Sequence, residues 1–222
     1  MKKLFILISL FCLLRIGFSQ TNDFETWSAI SISKNLNDRF RIAGEAELRL
    51  HENSTKINKA YTEIGCKYDY TENIDISIFY RFEEKRSIYN QYSSGHRFLI
   101  NLLLYKEYSS FEISLRNRIQ SKYVNAIEND WDIYANNYYR AKFGFDYKIR
   151  KSPVKPSFST EFFYRISRKN QNMFNQYRIT LGINYKFSKK ASIDFYIRTQ
   201  SEFNVANPAN SQIIGFCYNY KL

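Results

Sequence analysis

His51 and His96 are the two imidazoles in a chain of 222 residues. His96 follows Ser93, Ser94 and Gly95, so hydroxyls and a base lie close together. A serine becomes a nucleophile when an imidazole can take its proton and a third group orients the ring. Here the two-residue period places His96 with Phe98 and Ile100 on an apolar face, which points away from catalysis. His51 opens a polar connection and reads as a solvated side chain. Glu45 and Glu47 share one strand face, as an acid and base pair would. Arg41 and Arg49 flank them, however, and nearby opposite charge keeps carboxylates ionised, whereas a general acid needs a raised pKa. An internal ion-pair lattice is the better expectation. Cys66 falls with the apolar set and Cys217 with the polar set, which argues against a disulfide. No metal-ligand spacing occurs. The chain is expected to be no enzyme and to need no cofactor.

These charges sit in RFRIAGEAELRL at 39–50. Phe40, Ile42, Ala46, Leu48 and Leu50 fall on one face, and Arg39, Arg41, Glu45, Glu47 and Arg49 on the other. Period two means a strand. Strands are expected near 25–34, 39–50, 58–70, 74–84, 94–105, 110–122, 137–149, 157–167, 176–187, 192–202 and 212–222. Short connections with turn residues alternate with longer polar ones. That is the habit of a transmembrane barrel with short periplasmic turns and longer external loops. The parse gives eleven strands, while single-chain bacterial barrels have even numbers. The expected fold is therefore all-β, an antiparallel transmembrane β-barrel of 12 strands, with 10 as the alternative. A twelfth strand would hide in 123–136 or near the N-terminus.

MKKLFILISLFCLLRIGFSQ has a basic start, an apolar stretch and small residues at Gly17 and Ser19, the parts of a secretory signal. Residues 1–19 are expected to be cleaved, and 20–222 to form one barrel domain. The apolar stretch is shorter than the roughly 20 residues of a spanning helix. Aromatics make up 18% of the chain, which suits girdles at two membrane interfaces. The mean hydropathy of -0.49 is compatible with a barrel that averages a lipid face with a polar lumen. The formal charge is +12, three lower once Lys2, Lys3 and Arg15 leave. Its basic residues are spread singly through the strands without a nucleic-acid motif, so no nucleic-acid partner is expected.

Trp27, GEAELR at 44–49, GHRF at 95–98, LRNRIQ at 115–120, NYYRAKFGFDY at 137–147 and YRITLGINYKF at 177–187 resemble domain-of-unknown-function family 2490, a family of outer-membrane barrels. The resemblance covers nearly the whole mature chain. It implies an outer-membrane location in a Gram-negative bacterium and carries no activity or functional residues. Phe216, Tyr218, Tyr220 and Leu222 alternate to the end, resembling a C-terminal barrel-assembly signal, although Leu222 replaces the usual final aromatic. Barrel lipases carry histidine shortly before serine and then a calcium-binding polar run. Here the order is reversed, so a lipid hydrolase stays a remote alternative.

By alternation, roughly seventeen basic and ten acidic side chains point inward. Arg41, Arg49, Arg81, Arg97, Arg116, Arg118, Arg140, Arg178 and Arg198, with Glu45, Glu47 and Lys67, are the expected lumen lining. Basic rings favour anions, so the functional expectation is a narrow channel or binding lumen for small anionic solutes. The alternative is a plugged barrel whose external loops bind a partner or surface glycan, with Trp131 and Tyr134 as contact residues. Outer-membrane lipid, lipopolysaccharide and the barrel-assembly machinery are the other expected partners, and the expected state is a monomer.

Overall fold

Strands with one charged and one apolar face form a sheet that must keep two environments apart. The computed structural model, which describes residues 21–86, 91–124, 134–166 and 172–222, does so by closing the sheet on itself. The strands are β1 (Thr21–Asn35), β2 (Phe40–His51), β3 (Lys56–Thr71), β4 (Ile74–Arg86), β5 (Tyr92–Tyr108), β6 (Phe111–Val124), β7 (Tyr134–Tyr147), β8 (Val154–Ile166), β9 (Met173–Lys186), β10 (Ala191–Glu202) and β11 (Ala209–Lys221). Each pairs with its sequence neighbours, and β1 pairs with β11. The expected signal segment, 1–19, lies outside the described residues.

The expectations of 12 or 10 strands and of a wholly antiparallel sheet are both corrected. The wall has eleven strands, and the β1–β11 ladder is parallel, running from Thr21↔Ala209 to Ser33↔Lys221. An odd number of up-and-down strands leaves the first and last pointing the same way, so their ladder has to be parallel. Of the segment 123–136, the described ends belong to β6 and β7, which pair directly from Phe111↔Tyr147 to Val124↔Tyr134, and 125–133 lie outside the described residues. The seam is fastened at its end by Leu222 N–H donating to Ser33 O at 2.9 Å.

Connections 36–39, 72–73, 109–110, 148–153 and 187–190 share one end, here the turn rim. The strand ends that flank 52–55, 87–91, 125–133, 167–172 and 203–208 share the other, the loop rim. The outer surface carries exposed aliphatics at mid-height, among them Ile30, Ile64, Ile78, Ile100, Ile119 and Ile197. Towards the turn rim, rings pair as Phe40–Tyr68 at 4.7 Å, Tyr108–Phe111 at 4.8 Å and Tyr185–Phe187 at 4.9 Å. Towards the loop rim they pair as Tyr164–Phe174 at 5.0 Å, Phe82–His96 at 5.5 Å and Tyr177–Phe203 at 6.1 Å.

Inside, a small apolar cluster of Ala43, Phe79 and Leu99 is buried. Gly65 makes it possible. It lies directly across from Phe79, and the ring is laid flat on its backbone. A Cβ at Gly65 would stand 2.2 Å from the Ile78 carbonyl oxygen and 2.4 Å from Phe79 Cδ1. A Cβ at Gly44 would meet nothing closer than Glu63 O at 3.6 Å. Gly65→Ala is therefore expected to cost about 1–3 kcal/mol, and Gly44→Ala to be close to neutral. Urea unfolding of the two variants in detergent checks this; equal midpoints would contradict the packing role of Gly65.

Candidate functional site

Alternation sends one side chain in two into the barrel, and these inward residues surround a lumen of about 1000 Å³. Its wall contains all twelve charged residues named above from the alternation: Arg41, Glu45, Glu47, Arg49, Lys67, Arg81, Arg97, Arg116, Arg118, Arg140, Arg178 and Arg198. Among the described residues the wall has fourteen basic side chains against nine acidic ones, so the lumen is net positive. Trp131 lies outside the described residues, as does the side chain of Tyr134.

Charge removed from water is costly unless it is paired, and two carboxylates do most of the pairing. Glu83, on β4 and 1% exposed, takes Lys122 at 2.6 Å, Arg97 at 3.0 Å and Lys59 at 3.5 Å. Glu161, on β8, takes Arg116 at 2.6 Å, Arg140 at 2.9 Å and Arg178 at 3.7 Å. Each joins three cations from different strands. Smaller pairs are Glu63 with Arg81 at 2.7 Å and Glu47 with Arg49. Glu45 accepts the Tyr61 hydroxyl at 2.6 Å.

Aromatic faces hold the guanidinium groups that carboxylates do not saturate. Arg49 lies over Trp27 at 3.5 Å and Arg81 over Tyr61 at 3.6 Å. Arg140 and Arg178 lie over Phe163 at 4.3 and 4.7 Å. Arg198 lies over Tyr196 at 4.5 Å, and its Nε donates to Thr180 Oγ1 at 2.9 Å. Trp27 is itself fixed by donating Nε1–H to Glu25 at 2.7 Å, and Glu25 accepts the Ser211 hydroxyl at 2.6 Å across the parallel seam.

The register also sets like charges directly opposite one another: Arg81↔Arg97, Arg116↔Lys142 and Arg118↔Arg140. Such pairs destabilise a sheet. Each sets positive charge beside positive charge on the lumen wall.

The serine–histidine geometry differs from a catalytic pair. His96 Nδ1 is hydrogen-bonded to the Tyr80 hydroxyl at 2.7 Å on the outer surface. Ser94 donates to Glu84 at 2.5 Å and Ser93 to Lys85 O at 3.3 Å. His51 faces Glu52 at 3.8 Å in the loop it opens. Cys66 and Cys217 are both free thiols. Among the described residues no group of three or more His, Cys, Asp or Glu side chains is placed to hold a metal ion.

Residues 24–211 match the family described as protein of unknown function, DUF2490. No curated protein and no solved structure shows a significant match. The chain belongs to the DUF2490 family. The matched region runs from β1 into β11, so in this DUF2490 barrel it contains both three-cation clusters.

Several members of the site were not singled out by reading the sequence. Glu83, Lys59 and Lys122 lie close to the ends of their strands, where alternation runs into the connections. Trp27, Phe163 and Tyr196 point inward although they are aromatic. Their parity gave the signal: Trp27 follows Glu25, Phe163 follows Glu161 and Tyr196 follows Asp194, each by two positions.

Removing Glu83 leaves three cations without their shared partner. Glu83→Gln is expected to destabilise the DUF2490 barrel by about 3–5 kcal/mol. Lys122→Met in the same chain is expected to recover part of that loss, giving a coupling energy in a double-mutant cycle. Unfolding midpoints of the two single variants and the double variant test it, and strict additivity would argue against the shared pairing.

Proposed function

We propose that the chain is exported to the outer membrane of a Gram-negative bacterium and spans it as a monomeric barrel. Its lumen would bind and pass small anionic solutes. The observation that carries this reading is the composition of the lumen wall, with fourteen basic side chains against nine acidic ones among the described residues, around about 1000 Å³.

The membrane part is supported by the outer surface. Soluble monomers rarely expose apolar patches beyond a few hundred Å². This barrel carries aliphatic side chains around its middle and paired aromatic rings towards both rims. That is the arrangement suited to a hydrocarbon layer between two polar interfaces. Lipid and lipopolysaccharide would then cover the wall, with the turn rim towards the periplasm and the loop rim outside. The final strand would serve the assembly machinery as its recognition element.

Transport chemistry follows from the cations. An anion entering a narrow lumen loses part of its hydration, and guanidinium and ammonium groups on the wall replace it. Arginine holds its charge at every accessible pH, so the preference should persist across physiological conditions. Several cations along the path give multiple moderate sites in place of one deep trap, as passage requires.

Single-channel recording of the folded barrel in a planar bilayer under a salt gradient is the test. The expected result is a steady conductance whose reversal potential favours the anion. Neutralising Arg116 and Arg118 is expected to move that potential towards zero selectivity. A cation-selective current would overturn the reading. A silent bilayer, with folding verified by heat-modifiable migration on gels, would overturn conduction and leave a closed lumen.

A further inference from the structure

On β6, β7, β9 and β10, the inward positions near mid-barrel carry Arg116, Arg118, Arg140, Lys142, Arg178 and Arg198, with Glu161 on β8 among them. Their registers are continuous. Arg116 faces Lys142, Arg118 faces Arg140, Lys142 and Arg178 both face Glu161, and Arg198 faces Thr180. Among the described residues, the ion pairs of these six cations all go to Glu161. Arg118 instead bonds the Asn101 side chain, and Arg198 bonds Thr180. Arg116 Nε is buried without a hydrogen-bond partner among the described residues. Three of the six thus share one carboxylate, and Arg118, Lys142 and Arg198 have no ion-pair partner among the described residues.

We infer that this patch is a binding site for a multivalent oxyanion of the phosphate or sulfate class. The inference rests on the anion reading of the lumen but does not require that the barrel conduct.

Charge number sets the ligand class. A monovalent ion would leave most of the patch uncompensated, whereas a phosphate dianion carries several acceptor oxygens and more charge. Guanidinium groups bind such oxyanions with paired, directed hydrogen bonds. Neutral partners already hold several of these heads in place. Arg140 Nη1 donates to Gln120 at 3.0 Å and Arg178 Nε to Gln200 at 2.8 Å. Phe163 lies under both guanidinium planes. The donors are therefore preorganised, which lowers the ordering cost of binding. Glu161 limits affinity by competing for the same cations, and so favours release.

The removal of one cation should then have two effects of opposite sign. Lys142→Gln takes away a like-charge neighbour of Arg116, so the empty barrel should unfold at the same urea concentration or a higher one. The same change removes a ligand contact, so binding should weaken by about tenfold or more. Arg198→Gln is the independent second variant.

Calorimetric titration of the detergent-folded barrel with inorganic phosphate, at constant ionic strength set by chloride, reads both. Saturable phosphate binding, weaker binding of acetate, and the tenfold loss in both variants support the site. No saturable binding by the folded wild type, equal affinity for acetate, or unchanged affinity in both variants overturns it. Anion conductance without saturable phosphate binding removes this site and leaves the conduit. Saturable binding with a silent bilayer supports the site alone.

Discussion

Any charge turned into the barrel can be neutralised only by another side chain of the same barrel or by something that enters the lumen. Period two makes this unavoidable, since every second residue on each strand points inward. The protein meets the constraint with few carboxylates, each heavily shared. Glu83 gathers cations from β3, β5 and β6, and Glu161 from β6, β7 and β9. A carboxylate offers about four lone-pair sites, so serving three donors approaches its capacity. These clusters tie strands that are not neighbours in the wall, such as β4 with β6 and β6 with β8. They therefore brace the tube in addition to neutralising it. Guanidinium groups, several of them already ion-paired, also rest on Trp27, Tyr61, Phe163 and Tyr196, whose ring faces attract cations without adding negative charge.

Closure imposes the second constraint. A sheet of eleven up-and-down strands can close only through a parallel ladder, and β1 with β11 supplies it over thirteen registered pairs. The seam is bound inside the lumen and at its end. Glu25, Trp27 and Ser211 form a buried hydrogen-bonded chain across it on the inside, and Leu222 bonds back to Ser33 at the turn rim. The odd count also places the start of β1 at the loop rim and the end of β11 at the turn rim. An even barrel would bring them to the same rim.

Much of this was legible in the residues. Ile74, Ile76, Ile78, Tyr80 and Phe82 alternate with Asp75, Ser77, Phe79, Arg81 and Glu83, and that pattern alone fixes a strand and its two faces. The lumen positions of Arg116, Arg140 and Arg178 follow from the same parity. The parse counted eleven strands, as in the wall, but parallel closure did not follow: the even-count expectation rests on antiparallel closure, and nothing local in β1 or β11 announces a parallel partner. Nor did the sharing of Glu83 and Glu161. Which three cations reach one carboxylate depends on register and on the stagger between strands, and a one-residue slip would reassign them all. Phe79 shows a further limit. Its inward position is compatible with an apolar ring only because Gly65 lies opposite, a relation across the sheet that no single segment contains.

The surplus of positive charge is the feature that stability leaves unaccounted for. Opposing Arg116 to Lys142 and Arg118 to Arg140 raises the energy of the folded state, and neutral side chains of similar size would pack the same wall without that repulsion. Replacing buried ionic groups with apolar ones is often neutral or stabilising. Features that cost stability and persist are concentrated where a protein does its work. The lumen combines such a cost with a polar cavity and donors already held in place by Gln120, Gln200 and Phe163. An anion entering from solution would relieve the repulsion, and the energy stored between the facing cations would appear as binding. The same repulsion that weakens the empty barrel would thus supply affinity to an occupied one, and Glu161, held by three of the cations, would set how much of it is kept in reserve.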